Sequence, residues 1–93
     1  MNQEVRLVSA ALRDLTRLSD FLADKSPRAA RSARATIIAA VQSLSEFPNR
    51  GPIASGANRQ LPIEFGRDGY VAVYRVDPDA VVILRIFHAR ELR

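Results

Sequence analysis

The stretch from Gly69 to Arg90, GYVAVYRVDPDAVVILRIFHAR, limits the possible folds more than any other part of the chain. It holds two apolar runs, Val71 to Val76 and Val81 to Phe87, separated by Asp77-Pro78-Asp79-Ala80. β-branched and aromatic side chains suit a pleated surface, and Asp with Pro supplies the turn, so the stretch predicts a β-hairpin. Closing it at Val76 opposite Val81 puts Val71, Val73 and Arg75 on one face with Val82, Leu84, Ile86 and His88. The other face then carries Tyr70, Ala72, Tyr74, Val76, Val81, Ile83, Arg85 and Phe87. Both faces are largely apolar. The hairpin therefore belongs in the middle of a sheet, with helices over one side and partial cover on the other.

The upstream chain supplies that cover. Glu4 to Val8 alternates polar and apolar residues and reads as a short strand ending at Ser9. Ser9 is the expected N-cap of a helix from about Ala10 to Asp24, with an apolar stripe of Ala11, Leu15, Leu18 and Leu22 widened by Leu12 and Phe21. Arg13, Asp14, Arg17, Asp20 and Asp24 are expected on its water side. Ser26-Pro27 restarts the pattern as cap and first helical residue. A second helix follows to about Glu46, with Ala30, Ala33, Ile37, Ala40, Val41 and Leu44 at helical spacing and Pro48 as its stop. Only Lys25 and its neighbours connect the two, which makes them antiparallel neighbours. Arg28, Arg31 and Arg34 form a basic row at the start of the second helix, where the macrodipole disfavours positive charge.

Pro48 to Asn58 is rich in Pro, Gly, Asn and Ser and reads as an exposed loop. Arg59 to Phe65 is a strand with Leu61, Ile63 and Phe65 on one face, and Pro62 confines it to an edge or to the start of the pairing. Gly66-Arg67-Asp68-Gly69 turns into the hairpin. The expected fold class is α+β in the order β-α-α-β-β-β, an antiparallel sheet packed against an N-terminal helical hairpin, as one domain over residues 1–93.

With 47% hydrophobic residues, a chain of this length can build a core without staples. It has no cysteine, which excludes a disulfide framework and a thiolate zinc site. No apolar run approaches the ~20 residues that span a bilayer, and the N-terminus lacks the apolar core of a signal peptide. The expectation is a cytoplasmic protein. A formal charge of +4 favours an acidic partner: nucleic acid, an enzyme bound to nucleic acid, or an acidic protein. Lys25 is the only lysine, and arginine's planar fork suits carboxylate and phosphate. A GC-rich coding sequence gives the same bias, so the bias alone decides nothing. There is no metal-ligand spacing, no phosphate-binding loop and no dinucleotide turn, and no cofactor is expected.

Read in order, Asp14-Leu15, Pro27 with Ala29-Ala30, Leu44 with Pro48, Arg59 with Leu61, Gly69-Tyr70 with Tyr74-Arg75, and Val82 to Arg90 make a longer pattern. That pattern resembles the RelE/ParE superfamily of type II toxin–antitoxin toxins over nearly the whole chain. RelE-like members are ribosome-dependent mRNA endonucleases, whose chemistry needs positive charge aimed at the phosphate and a proton acceptor nearby. In such sequences the strand before the turn carries paired lysines, and arginine follows Gly-Tyr. Here the corresponding positions hold Pro62, Glu64 and Val71, and of that set Arg90 is kept. His88 is the one side chain suited to general-base work at neutral pH, and a related nuclease branch uses a histidine near this point. A nuclease reading thus rests on His88, Arg85 and Arg90 as catalytic candidates.

The L-P-I-x-F-G-R-x-G-Y segment and the closing I-L-R-I-x-H-A-R are similar to the ParE-like branch. That resemblance implies a toxin that acts by binding and poisons DNA gyrase, held in check by a ParD-like antitoxin whose C-terminal helical segment lies along it. The antitoxin is expected in an apolar groove where the first helix meets the strands, at Leu18, Phe21 and Leu22, with acidic residues meeting Arg59, Arg67 and Arg75. The target-binding surface is expected at Arg67, Arg85, His88 and Arg90. The alternatives are the mRNA endonuclease and, behind it, a non-toxic basic module that binds nucleic acid.

Overall fold

The computed structural model describes residues 2–92. Strand β1 (Glu4–Leu7) leads into helix α1 (Ser9–Ala23) and helix α2 (Pro27–Gln42), which a 3₁₀ turn at Ser43–Ser45 extends. Strands β2 (Ile53–Ser55), β3 (Asn58–Ile63), β4 (Tyr70–Val76) and β5 (Ala80–His88) follow, and a second 3₁₀ turn covers Ala89–Leu92. The sheet order is β1-β5-β4-β3-β2. The α+β class and the helical hairpin on one sheet face agree with expectation.

Three details differ. The sheet is mixed, because β1 runs parallel to β5 with Val5 opposite Val81 and Leu7 opposite Ile83. Apolar alternation reports which face a strand buries and is silent on its direction. The long excursion between β1 and β5 supplies the crossover that a parallel pair requires. The stretch expected as a loop contains β2, held to β3 through Ile53 opposite Arg59. Ser9 is not the N-cap of α1. Val8 occupies that position without a side-chain cap, and its N–H donates to the Ile83 carbonyl at 3.1 Å. The strand ladder thus runs into the helix and leaves no residue between them for a serine cap.

Ser26 does cap α2, its hydroxyl accepting from the Ala29 N–H at 3.1 Å, with Pro27 in the first helical turn. The core lies between the helical hairpin and the sheet. Ala11, Leu15 and Leu18 of α1 and Ala33, Ile37 and Val41 of α2 meet Leu61, Ala72, Tyr74, Ile83 and Ile86.

The hairpin closes with Val76 opposite Val81, as the turn chemistry predicts, but a bulge then changes the faces. Val73 pairs with Arg85 and Tyr74 with Ile83, so Leu84 is the extra residue. Beyond it Ile86 and His88 join Ala72 and Tyr70 on the helix-covered face, while Arg85 and Phe87 join Val73 and Val71 on the other. The expected faces are therefore exchanged from Leu84 onward. Without the bulge Arg85 would point into the core and Ile86 out of it. With it, Val81, Ile83 and Ile86 are all fully buried. Pro62 lies where β3 has run past its pairing with β2, which involves only Asn58 and Arg59, so its missing N–H falls on a free edge.

Tyr74 fixes the loop before β2. Its hydroxyl donates to the Pro48 carbonyl and accepts from the Gly51 N–H, both at 2.8 Å. Gly51 must be glycine, because a Cβ there would lie 2.6 Å from the Gln60 carbonyl oxygen. Tyr74→Phe strands the buried Gly51 N–H and is expected to lower stability by about 1–3 kcal/mol in urea unfolding.

Candidate partner-binding groove

The second half of α1, the β3–β4 turn and the C-terminal 3₁₀ turn enclose a groove of about 590 Å³. Its walls follow from local sequence. Leu18 and Leu22 lie a helical turn apart on the inner side of α1, and Phe21 projects beside them, 66% exposed. Opposite stand Phe65 and Tyr70, brought together by the Gly66–Gly69 turn with ring centroids 5.8 Å apart. Gly69 holds φ at +75°, and a Cβ there would meet the Ile63 carbonyl oxygen at 2.3 Å, so only glycine fits this turn. The Ala89 N–H donates to the Gly69 carbonyl at 3.0 Å and ties the end of β5 to the same turn.

Charge rims these apolar walls. Arg17, Lys25, Arg67 and Arg90 line the groove with Asp68 and Glu91. Glu91 accepts from Arg17 at 2.9 Å and from the His88 N–H at 2.7 Å, and Arg90 lies 3.7 Å from Asp68. The Lys25 ammonium sits over the Phe21 ring, 5.3 Å from its centroid. His88 meets Tyr70 edge-on at 5.6 Å, and its Nδ1 accepts from the Arg90 N–H at 3.2 Å. Burial pushes the Tyr70 phenol up. Among the described residues no cluster of His, Asp and Glu is placed to hold a metal ion.

The structure gathers Leu18, Phe21, Leu22, Arg67, His88 and Arg90 into this one groove. Arg59 and Arg75 lie elsewhere, toward the far end of the sheet. Arg59 donates to the Gly51 carbonyl at 2.8 Å, and Arg75 is paired in two hydrogen bonds with Asp77 beside the hairpin tip. Arg85 is outside the groove as well. Its guanidinium lies over the Phe87 ring at 4.7 Å and binds Asp14 through two hydrogen bonds of 2.8 and 3.1 Å.

Asp14 corrects the expectation that it faces water: it is 4% exposed. The cause is the end of β1. Past Ile83, β5 has no neighbour on that side, and the Ile86 backbone would be left open. Asp14 accepts from the Ile86 N–H at 2.8 Å, and Arg17 approaches the Ile86 carbonyl at 3.4 Å, so two helix side chains stand in for a strand. Burial by itself raises the Asp14 carboxyl. Hydrogen bonds from Arg85, the Ile86 amide and Arg17 outweigh it and hold the carboxyl below the usual carboxylate range. The signal was present in the sequence, because Asp14 falls between Ala11 and Leu18 within the apolar stripe. Asp14 lies outside the groove; among the groove's side chains, Arg17, Lys25, Phe65, Asp68, Tyr70 and Glu91 were not anticipated, and Phe65, Asp68 and Tyr70 come together only through the β3–β4 turn.

The positions where the nuclease pattern has basic residues also have a definite arrangement. Pro62 pairs with Val71, and Val71 with Phe87 beyond it, an uncharged row across three strands on the face away from the helices, while Glu64 is exposed just past the end of β3. His88 is on the other face.

Residues 5–93 match the model of the ParE toxin of the type II toxin–antitoxin system parDE. Toxin RelE3 of Caulobacter vibrioides is 42% identical over 98% of this chain and 99% of its own length. Toxin RelE1 of the same organism is 39% identical over 89% of each. A solved structure of a chromosomal ParDE system from P. aeruginosa superposes with a TM-score of 0.82 at 26% identity, covering 94% of this chain and 96% of that one. The RelBE2 toxin–antitoxin complex of Mycobacterium tuberculosis gives 0.67 at 25% identity, covering 95% and 99%. A helical hairpin over an arginine-bearing sheet, matched from Val5 to the last residue, thus belongs to the ParE toxin family of type II toxin–antitoxin systems.

Proposed function

We propose that this toxin acts by binding, with DNA gyrase as its target, and that a ParD-like antitoxin neutralises it by filling the groove along α1. The observation that carries the reading is the uncharged row Pro62, Val71 and Phe87. Stabilising a pentavalent phosphorus centre needs donors aimed at its oxygens, and those three side chains offer none. Arg85, which shares that face with Phe87, is already bound to Asp14. His88 lies on the opposite face from that row, edge-on to Tyr70 and with its Nδ1 accepting from the Arg90 N–H.

The groove supports neutralisation by occlusion. Arg67, His88 and Arg90, assigned to the target surface, line it together with Leu18, Phe21 and Leu22, assigned to the antitoxin. One occupant covers both sets. An amphipathic helix would lay its apolar stripe between the Leu22 and Phe65 walls and its carboxylates along the rim. The toxin needs no cofactor in this reading, and it acts as one domain in the cytoplasm, where its target resides. Among the described residues no helix is long and apolar enough to cross a membrane.

The test is a side-by-side assay of the purified chain. Expected are loss of gyrase supercoiling with accumulation of cleaved DNA, intact ribosome-bound message, and relief of both gyrase effects by the antitoxin. Arg90→Glu is expected to weaken inhibition at least about tenfold, because a reversed charge at an exposed rim opposes an acidic target surface. The RelE names of the curated relatives favour a second reading, the ribosome-dependent mRNA endonuclease. Message cleavage beside undisturbed supercoiling would establish it instead.

A further inference from the structure

We infer that the Tyr70 hydroxyl is the polar anchor of the groove, donating a hydrogen bond to a carboxylate on the occupying segment and so selecting segments with an acidic residue beside their apolar anchor. This rests on the groove being the antitoxin seat.

The chain has two tyrosines, and their hydroxyls are treated differently. That of Tyr74 is used twice, by Pro48 and Gly51. Tyr70 is 4% exposed, lines the groove, and among the described residues its hydroxyl has no hydrogen-bond partner. Its ring is held between Phe65 and His88, so the phenol cannot swing out to full solvation. The hydroxyl is not among the buried unpartnered atoms, so it opens onto the groove and can donate to an acceptor that arrives with the ligand. Burial pushes this phenol up, so it stays protonated and donates.

Charge selects the acceptor. Four cationic residues against two carboxylates leave the groove lining two charges positive. Both carboxylates have partners: Glu91 serves Arg17 and the His88 amide, and Asp68 faces Arg90. Lys25 and Arg67 have no ion pair among the described residues. An acidic side chain entering the groove meets a donor in the floor and unneutralised cations at the rim. A neutral amide gains only the first. The carboxylate is therefore preferred to the amide through the rim charge as well as the hydrogen bond.

The experiment is a displayed random-peptide library selected on the wild-type chain, with the selected peptides then titrated against wild type, Tyr70→Phe and Phe21→Glu. Tyr70→Phe removes one oxygen and keeps the ring packing. Selected peptides are expected to carry Asp or Glu next to an apolar cluster and to bind Tyr70→Phe about tenfold more weakly. Replacing their acidic residue by alanine should weaken binding to wild type and leave binding to Tyr70→Phe unchanged. Equal binding to wild type and Tyr70→Phe, with loss on Phe21→Glu, overturns the role of Tyr70 while the groove reading stands. Undiminished binding to Phe21→Glu overturns the groove reading and the inference with it. Failure to select any peptide, or selection of peptides without acids, also overturns the inference.

Discussion

Asp14→Ala is expected to lower the stability of the folded chain by about 2–3 kcal/mol, the loss of charge-assisted hydrogen bonds together with a stranded backbone N–H. The carboxylate accepts from Arg85 twice and from the Ile86 amide, and it is buried, so water cannot replace it freely. Arg85 is half-exposed and can be resolvated, which keeps the figure below that for a fully buried pair. The pH dependence has a definite sign. The folded carboxyl sits below its unfolded value of 3.8, so its contribution is fully present above that value and is lost as pH falls through the lower, folded value. Wild type should therefore lose stability more steeply than Asp14→Ala below about pH 4. Urea unfolding of both proteins across that range checks it, and parallel acid limbs would remove the carboxylate from the account. Asp14→Asn should fall between them, since an amide oxygen can still accept from Ile86 while its NH₂ faces Arg85.

The same residue shows how much was legible in the sequence. Periodicity placed α1 and α2 correctly, and turn chemistry placed the hairpin with Val76 opposite Val81. Both are local: the residues that decide them are neighbours in the chain. The Leu84 bulge is not local, because it exists to bury Ile86 against α1 while keeping Arg85 out, and α1 is some 70 residues earlier. Asp14 was assigned to water by its charge, although its position in the stripe said otherwise. The deciding fact was that β1 stops beside Ile83, leaving an open backbone edge to be satisfied. For the groove, Leu18, Phe21 and Leu22 were legible from helical spacing. Arg59 and Arg75 were joined to them on charge alone, and pairing places both toward the opposite end of the sheet.

Phe21→Glu is expected to reduce antitoxin affinity about 30-fold or more while leaving the fold intact. A phenylalanine that is 66% exposed contributes little to the core, so a stability change within about 0.5 kcal/mol is expected. A carboxylate near the end of α1 opposes the macrodipole, and Lys25, four residues on, compensates. Binding responds differently. The substitution deletes the largest exposed apolar side chain of the groove and places negative charge where an acidic segment must approach. Leu12→Glu is the matched control. Leu12 is 50% exposed on the same helix, but half a turn out of phase with Phe21, among Arg13, Thr16 and Asp20. If exposed apolar surface alone attracted the antitoxin, the two variants would weaken it alike in a calorimetric titration. A loss confined to Phe21→Glu, with both proteins melting near the wild-type temperature, locates the contact in the groove. If the proposed gyrase target shares this rim through Arg67 and Arg90, its inhibition should follow the same pattern, tolerating Leu12→Glu and weakened by Phe21→Glu; inhibition indifferent to Phe21→Glu would place the target contact outside the groove.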